Sequence, residues 1–317
     1  MHIFPTLAIF ASTVSSAIPT NAQFQDLYNV LKREYTDHSA SIPEIVRASF
    51  HDLANANGVR GGPRGCLRNG NAKLFDGNLQ LVDPVRDLFA LVDRKFTCDN
   101  FSDGDVISLA GKVAIELAYP CIRINWRGGR PPCSTDPATS ETNLLPSGKI
   151  SDLAGLQPFL DRYNFTKREF AVLLAGGHGL GDGAIRSSTL STFLPFALTN
   201  SVKDYIVQTF SLSNWFIFPI STFPISYLNN FGVWRLPVDM MFYPSVLKRM
   251  PGTVPDTSFA ATETFLKLFV NLPEWAADDE FQRVFTKMLE IGIDTNLLGP
   301  VIQNRPLSDA CIARKAV

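Results

Sequence analysis

Apolar residues recur three and four positions apart along most of this chain, the spacing of amphipathic helices. Short helices are predicted near residues 24–35 and through the stretch Glu44–Asp52, and a longer one begins at Asn78. The segment Val106–Leu117 is apolar on almost every side and is therefore predicted to be a central helix. Further helices are predicted at 151–163, at 170–175, near 262–270 and at 279–290. Strand patterns are scarce, so the sequence predicts a mostly α fold.

Polar residues that can cap a helix precede several of these segments. Ser41 and Glu44 have the spacing of a capping box, as do Thr166 and Glu169. Ser102 has the position of an amino-terminal cap for the central helix. Residues 119–148 are rich in Pro, Gly, Ser and Thr, which predicts an irregular connection between two helical halves.

Length and charge limit the functional classes. A chain of 317 residues with 45% hydrophobic residues is long enough for one large domain or two intimate ones. A formal net charge of −1 gives no reason to expect nucleic acid or an anionic membrane as a partner. No apolar run is long enough to span a bilayer. We expect a monomer that acts on small molecules.

The amino terminus and the cysteines favour secretion. An apolar run followed by Ser15 and Ala17 is typical of a signal peptide within residues 1–22, with cleavage after Ala17 or Ala22. The functional domain would then be 23–317. Asn100 and Asn164 begin glycosylation motifs, which are meaningful in a secreted chain. Five cysteines fit an oxidising compartment with one left unpaired, and the sequence leaves their pairing open: Cys66, Cys98, Cys121, Cys133 and Cys311.

The first candidate site is on the helix Glu44–Asp52. Arg47 and His51 are four residues apart and Phe50 is three after Arg47, so the three side chains share one helix face. Burying a cation without a partner is costly, so this arrangement points to a functional site. The structural alternative is a solvated arginine with a core histidine behind it.

The second candidate site is His178, which ends a buried helix among glycines that let a bulky group approach the backbone. The stretch Gly179–Gly183 superficially resembles a nucleotide loop, but that motif follows a strand and here a helix comes first. A haem that activates peroxide needs an axial ligand on one side and acid–base groups on the other. His178 suits the first role, and Arg47 with His51 suits the second. Asp239 can make the ligand more basic.

Three ordered motifs then indicate a family. The stretch Arg47–Asp52 resembles the distal motif of the plant–fungal–bacterial haem peroxidase superfamily. Leu173–Gly181 resembles its proximal-histidine motif, and Leu236–Asp239 its proximal-aspartate motif. The resemblance covers roughly residues 23–301 and implies a helical fold with haem b between two halves. Two further stretches are similar to the family: Asp105–Gly111 and Leu145–Pro146.

The resemblance also implies a role for each residue. His178 would be the axial iron ligand and Asp239 its hydrogen-bond partner. His51 would take a proton from iron-bound hydrogen peroxide and return it to the departing oxygen, while Arg47 would stabilise the developing negative charge. Asn78 matches the asparagine that keeps the distal histidine basic; the alternative is an ordinary helix cap. A small donor would then reduce the ferryl iron in two one-electron steps.

The donor class follows from aromatic residues. Phe50 would pack over the haem, at a position where the intracellular branch of the family has tryptophan. Phe193 and Phe196 follow the proximal histidine. These residues favour small phenolic or aromatic donors over a protein donor. The alternative function is a haem-binding or peroxide-sensing protein with little turnover. A metallohydrolase is a third reading, disfavoured because no H-E-x-x-H pairing occurs.

Calcium is expected to be absent or reduced. Asp52 matches one ligand of the distal calcium site found in secreted members of the family. Arg64 stands where a further carboxylate is expected, and a cation there repels Ca²⁺. Gly179 stands where the family places a serine or threonine ligand.

Overall fold

The computed structural model describes residues 18–54, 62–69, 76–97, 101–133, 145–146, 150–180, 203, 206, 237–249, 253–302 and 306–315. The predicted mostly α fold is confirmed. The described residues contain no β-strand beyond an isolated antiparallel bridge between Arg127 and Val301. Residues 1–17 of the predicted leader lie outside the described residues, as do several residues named above: Cys98, Asn100, Phe193, Phe196 and Leu236.

Twelve α-helices are found in the described residues: α1 Asn21–Asp37, α2 Ile42–Ala54, α3 Cys66–Asn69, α4 Val82–Lys95, α5 Asp103–Ala118, α6 Leu153–Tyr163, α7 Lys167–His178, α8 Pro237–Met240, α9 Pro244–Leu247, α10 Ala260–Phe269, α11 Glu274–Glu290 and α12 Asp309–Lys315. Three 3₁₀-helices accompany them: Ser39–Ser41, Asp76–Leu81 and Thr257–Phe259. No helix among these residues is both long and apolar enough to cross a membrane.

Two of the predicted helix caps agree with the structure, and the predicted start of one helix does not. Ser102 accepts a hydrogen bond from the Asp105 amide, and Thr166 forms the predicted capping box with Glu169. The prediction of one continuous helix from Asn78 is wrong, because residues 76–81 form a 3₁₀-helix and α4 begins only at Val82. This tighter turn matters for the site described below.

Helix α5 lies at the centre of the core, with residues 104–116 buried, and it packs against both α1 and α2. The contact with α2 depends on Gly111, where a Cβ would lie 2.5 Å from Ser49 Oγ and 2.6 Å from Ser49 Cβ. Only a glycine fits such an approach without displacing the neighbouring helix. Gly111 therefore fixes how closely α2, with Arg47 and His51, approaches the core.

A buried ionic group lies on another part of α5. Lys112 is fully buried and pairs with Glu116 one turn later. Its Nζ also donates to the Ile124 carbonyl at 2.9 Å, while Tyr28 Oη donates to Glu116 Oε2 at 3.0 Å. A buried charge is tolerated only when its hydrogen-bonding capacity is met, as it is here. The network joins α1, α5 and the segment that follows α5.

Helix α7 is held against α11 by charge at its amino end. Glu169, in the first turn of α7, accepts from Arg283 Nη1 at 3.0 Å and from Lys287 Nζ at 2.8 Å. These hydrogen bonds between charged groups are stronger than neutral ones. Two disulfides add covalent connections, Cys66–Cys133 and Cys121–Cys311.

We expect Gly111→Ala to destabilise the protein by about 1–3 kcal/mol, the usual effect of overpacking a core. The added methyl group must push α2 away from α5 at Ser49. In a Ser49→Gly background the same substitution should cost much less, because the opposing Cβ is gone. Urea unfolding of the four proteins in this double-mutant cycle measures the difference. Equal losses of unfolding free energy in the two backgrounds would show that Ser49 does not limit how closely α2 approaches α5.

Candidate active site

Arg47 and His51 lie side by side on α2, as the sequence predicts. Arg47 Nε donates to His51 Nε2 at 3.3 Å, and His51 Nδ1 lies 2.6 Å from Asn78 Oδ1. A guanidinium can only donate and an amide oxygen can only accept. Both contacts therefore require the same imidazole tautomer, with the proton on Nδ1 and a lone pair on Nε2. The protein thus presents a neutral base beside a fixed cation.

Asn78 belongs to the 3₁₀-helix that precedes α4. Its side chain is buried and faces His51, while the cap position of α4 is Leu81, which makes no side-chain capping bond. Gln80, two residues after Asn78, accepts from Arg47 Nη1 at 2.8 Å with Oε1. Gln80 was not predicted as a site residue. Its position beside Asn78 was the one signal available in the sequence.

The environment of His51 keeps it neutral. Burial, the nearby charge of Arg47 and, to a smaller extent, His178 lower the pKa of His51 from 6.5 to about 3, against an opposing effect of the Asn78 hydrogen bond. Burial lowers the pKa of Arg47 as well, but an arginine remains a cation.

His178 is the last residue of α7 and is held by a carboxylate. Its Nδ1 donates to Asp239 Oδ1 at 2.8 Å, and Asp239, on α8, is buried. His178 itself is 31% exposed. Because Nδ1 is engaged, Nε2 is the ring nitrogen available to a ligand. A histidine oriented in this way by a carboxylate is the usual arrangement of a metal-binding imidazole.

Two aromatic residues fix the carboxyl-terminal end of α7. Tyr119 Oη, just after α5, donates to the Gly176 carbonyl at 2.8 Å, which satisfies a carbonyl in the last turn of the helix. A Cβ on Gly176 would lie 2.1 Å from the Phe281 ring of α11. Neither Tyr119 nor Phe281 was predicted. At Gly177, by contrast, a Cβ would have no heavy atom within 4 Å, so the space beside His178 is open.

Phe50 connects the two sides of the site. Its half-buried ring lies 6.4 Å between centroids from Phe170 of α7 and 5.9 Å from Phe159 of α6. The described residues therefore fit a haem: an oriented imidazole at His178, open space at Gly177 and an acid–base pair on the opposite helix. His178 would hold the iron.

Comparison with known proteins decides the family. The model of the peroxidase family matches residues 27–214, more than half of the chain. The chain belongs to the haem peroxidase superfamily. It is also 25% identical over 295 residues to "Cytochrome c peroxidase, mitochondrial" of Emericella nidulans, covering 88% of this chain and 73% of that protein. Membership in this superfamily implies a haem cofactor and hydrogen peroxide as a substrate.

Asp52, which matches a calcium ligand of secreted peroxidases, contacts the backbone in this protein. Its Oδ2 accepts from the Gly65 amide at 2.8 Å and its Oδ1 from the Leu67 amide at 3.4 Å. Burial raises the pKa of Asp52 to about 7, and these backbone hydrogen bonds oppose the rise. The carboxylate therefore anchors the turn at Gly65, where the backbone φ is +80°. In the part of the chain that the structure describes, no three acidic, histidine or cysteine side chains are grouped as metal ligands.

We expect acid to destabilise the protein partly through His51. The unfolded chain protonates this residue near its ordinary pKa of 6.5, whereas the folded protein does so only near 3. The unfolded state thus binds more protons between these values, and stability is lost as the pH falls from 6.5 toward 3. At pH 4 the loss should be about 3 kcal/mol relative to pH 7.

Urea unfolding at pH 7 and pH 4 measures this effect. His51→Leu should lose about 3 kcal/mol less than the wild type between the two values, since it lacks the titrating group. His38→Leu, at an exposed histidine, is the matched control and should follow the wild type. The same pH dependence in the wild type and His51→Leu would rule out the lowered pKa.

Proposed function

We propose that this protein is a secreted haem peroxidase that reduces hydrogen peroxide and oxidises small phenolic or aromatic donors. The observation that carries the proposal is the pairing of a neutral His51 with the Arg47 cation, opposite a histidine oriented by Asp239. When bound, haem b supplies the iron at which peroxide is reduced.

The proximal side serves to hold that iron. His178 would hold it through Nε2, because Nδ1 donates to Asp239. The carboxylate increases electron density on the imidazole, which favours oxidised iron. Phe50 would pack over the haem from the opposite helix. Gly177 leaves room beside the ligand.

The distal side serves to move a proton and to stabilise charge. Nε2 of His51 is unprotonated and accepts from Arg47 Nε, and in the reaction this nitrogen takes a proton from hydrogen peroxide and returns it to the oxygen that leaves as water. Arg47 stabilises the negative charge on that oxygen as the O–O bond breaks. Asn78 keeps the histidine in the tautomer that this step requires. Two donor molecules then supply one electron each.

A small donor is favoured over a protein donor. The name of the relative in Emericella nidulans makes reduced cytochrome c the second candidate. Phe50, surrounded by Phe159 and Phe170, is much harder to oxidise than a tryptophan, so it is poorly suited to relay electrons from a protein at the surface. Phenols and aromatic amines that reach the site need no relay.

A haem-binding or peroxide-sensing protein with little turnover is the rival function. Binding haem requires only His178 and the carboxylate behind it. Arg47, His51 and Asn78 make no contribution to ligation, yet their hydrogen bonds give His51 the tautomer and the neutral state that peroxide cleavage needs. This arrangement supports turnover.

Secretion is supported by the two disulfides together with the apolar leader. The structure of α1 favours cleavage after Ala17 over Ala22. Thr20 caps α1 in a reciprocal capping box with Gln23, and cleavage after Ala22 would remove that cap. A chain cleaved after Ala17 would keep the whole first helix, Asn21–Asp37, together with its cap. We infer that the protein is a monomer. We also infer that bound calcium is absent or reduced, since Asp52 contacts backbone amides.

His51→Leu should bind haem normally and react with hydrogen peroxide about 10²–10⁴-fold more slowly, the usual contribution of a general base. Stopped-flow absorbance of the haem band measures the reaction, and steady-state assays with a phenol or with reduced cytochrome c compare the donors. His38→Leu is again the control. Unchanged peroxide kinetics in His51→Leu would exclude the mechanism, and faster turnover with cytochrome c would exclude the donor assignment.

Secretion can be tested through the glycosylation motif at Asn164. This residue is exposed and has a left-handed backbone with φ 52°, so Asn164→Gly removes the acceptor without strain. Expressed in a fungal host with its own leader, the wild type should appear in the medium, and enzymatic deglycosylation should lower its mass more than that of Asn164→Gly. Retention of an unglycosylated protein inside the cells would contradict secretion.

A further inference from the structure

We infer that Gln80 is a positioning residue for the peroxide reaction: it holds the guanidinium of Arg47 in place from outside the helix that carries it. This inference rests on the proposed function, in which Arg47 stabilises the departing oxygen. Neither the sequence motifs nor the family comparison assigns a role to Gln80.

Two of the contacts of Arg47 bear on the orientation of its guanidinium. Nη1 of Arg47 donates to Gln80 Oε1 at 2.8 Å, and Nε donates to His51 Nε2 at 3.3 Å. The guanidinium is planar and its N–H directions are fixed, so contacts on two different nitrogens define its direction. Loss of the Nη1 contact would increase the freedom of this long side chain, because an arginine has considerable rotamer entropy.

The 3₁₀-helix Asp76–Leu81 supplies both acceptors of the distal pair. Asn78 binds His51 and Gln80 binds Arg47, whereas Leu79, between them, is 56% exposed. Leu81 is buried and anchors the end of this turn. One short element thus sets the positions of the base and of the cation relative to each other.

The chemistry of the acceptor matters as much as its position. Gln80 is a neutral amide, so it orients Arg47 without cancelling its charge. A carboxylate at the same place would form an ion pair with Arg47 and compete with the negative charge that develops on the departing oxygen. The two functions of the side chain, orientation and neutrality, can therefore be tested separately.

Three variants of the holoenzyme separate these functions. Gln80→Leu removes the acceptor, Gln80→Glu keeps an acceptor but adds a negative charge, and Leu79→Ala is the matched control on the same turn. Each is measured by its rate constant with hydrogen peroxide and by the dissociation constant of fluoride on the ferric protein. Fluoride is a small anion that is not turned over, and a fixed cation beside it stabilises its binding.

Gln80→Leu should slow the peroxide reaction and weaken fluoride binding about tenfold, the effect of one hydrogen bond to a charged group. Gln80→Glu should slow the peroxide reaction and weaken fluoride binding at least as much, because the charge of Arg47 is partly cancelled. Leu79→Ala should change neither by more than about twofold. The side chain of Gln80→Asn is one methylene shorter, so this variant should behave like Gln80→Leu. It replaces Gln80→Leu in the experiment if that variant does not fold.

The inference is overturned if Gln80→Leu and Gln80→Asn bind fluoride as tightly as the wild type. It is also overturned if Leu79→Ala weakens fluoride binding equally, since the effect would then come from the turn as a whole. Failure of the proposed function gives a different result. In that case His51→Leu reacts with peroxide like the wild type, while the fluoride measurement still reports whether Gln80 holds Arg47.

Discussion

The site depends on how each of its two histidines uses Nδ1. A buried imidazole nitrogen that carries a proton needs an acceptor, and here the protein supplies Asn78 to one ring and Asp239 to the other. In both rings Nε2 is thereby the unprotonated nitrogen, the one that would take part in the proposed reaction. The acceptors differ in charge: burial and Arg47 lower the pKa of His51 and the neutral Asn78 amide opposes this only in part, whereas a carboxylate would make His178 a stronger ligand. The same orientation thus produces two different chemical roles.

This arrangement requires that α2 and α7 keep their places on the core. Helix α5 meets α2 at Gly111, and Tyr119, directly after α5, binds the last turn of α7 at Gly176. A single central helix therefore determines the position of both histidines. The ion pairs of Glu169 hold the other end of α7 against α11, so α7 is fixed at both ends.

Sequence reasoning was effective where the relevant contacts are local. Arg47 and His51 could be paired because helical spacing of four residues places them on one face. The 3₁₀-helix could not be foreseen, since the apolar pattern after Asn78 also fits an α-helix. Gln80 and Tyr119 reach their partners across 33 and 57 residues, respectively. Such contacts depend on how helices pack, and periodicity within a single segment does not contain that information.

The two disulfides have a consequence that follows from their order along the chain. Cys66 pairs with Cys133, and Cys121, which lies between them, pairs with Cys311 at a sequence separation of 190. The two covalent rings interlock in sequence, so a protease that cuts one peptide bond anywhere from residue 66 to residue 311 releases no fragment. After such a cut, both histidines and the hydrogen-bond partners described above, Asn78, Arg47 and Asp239, would remain in one molecule.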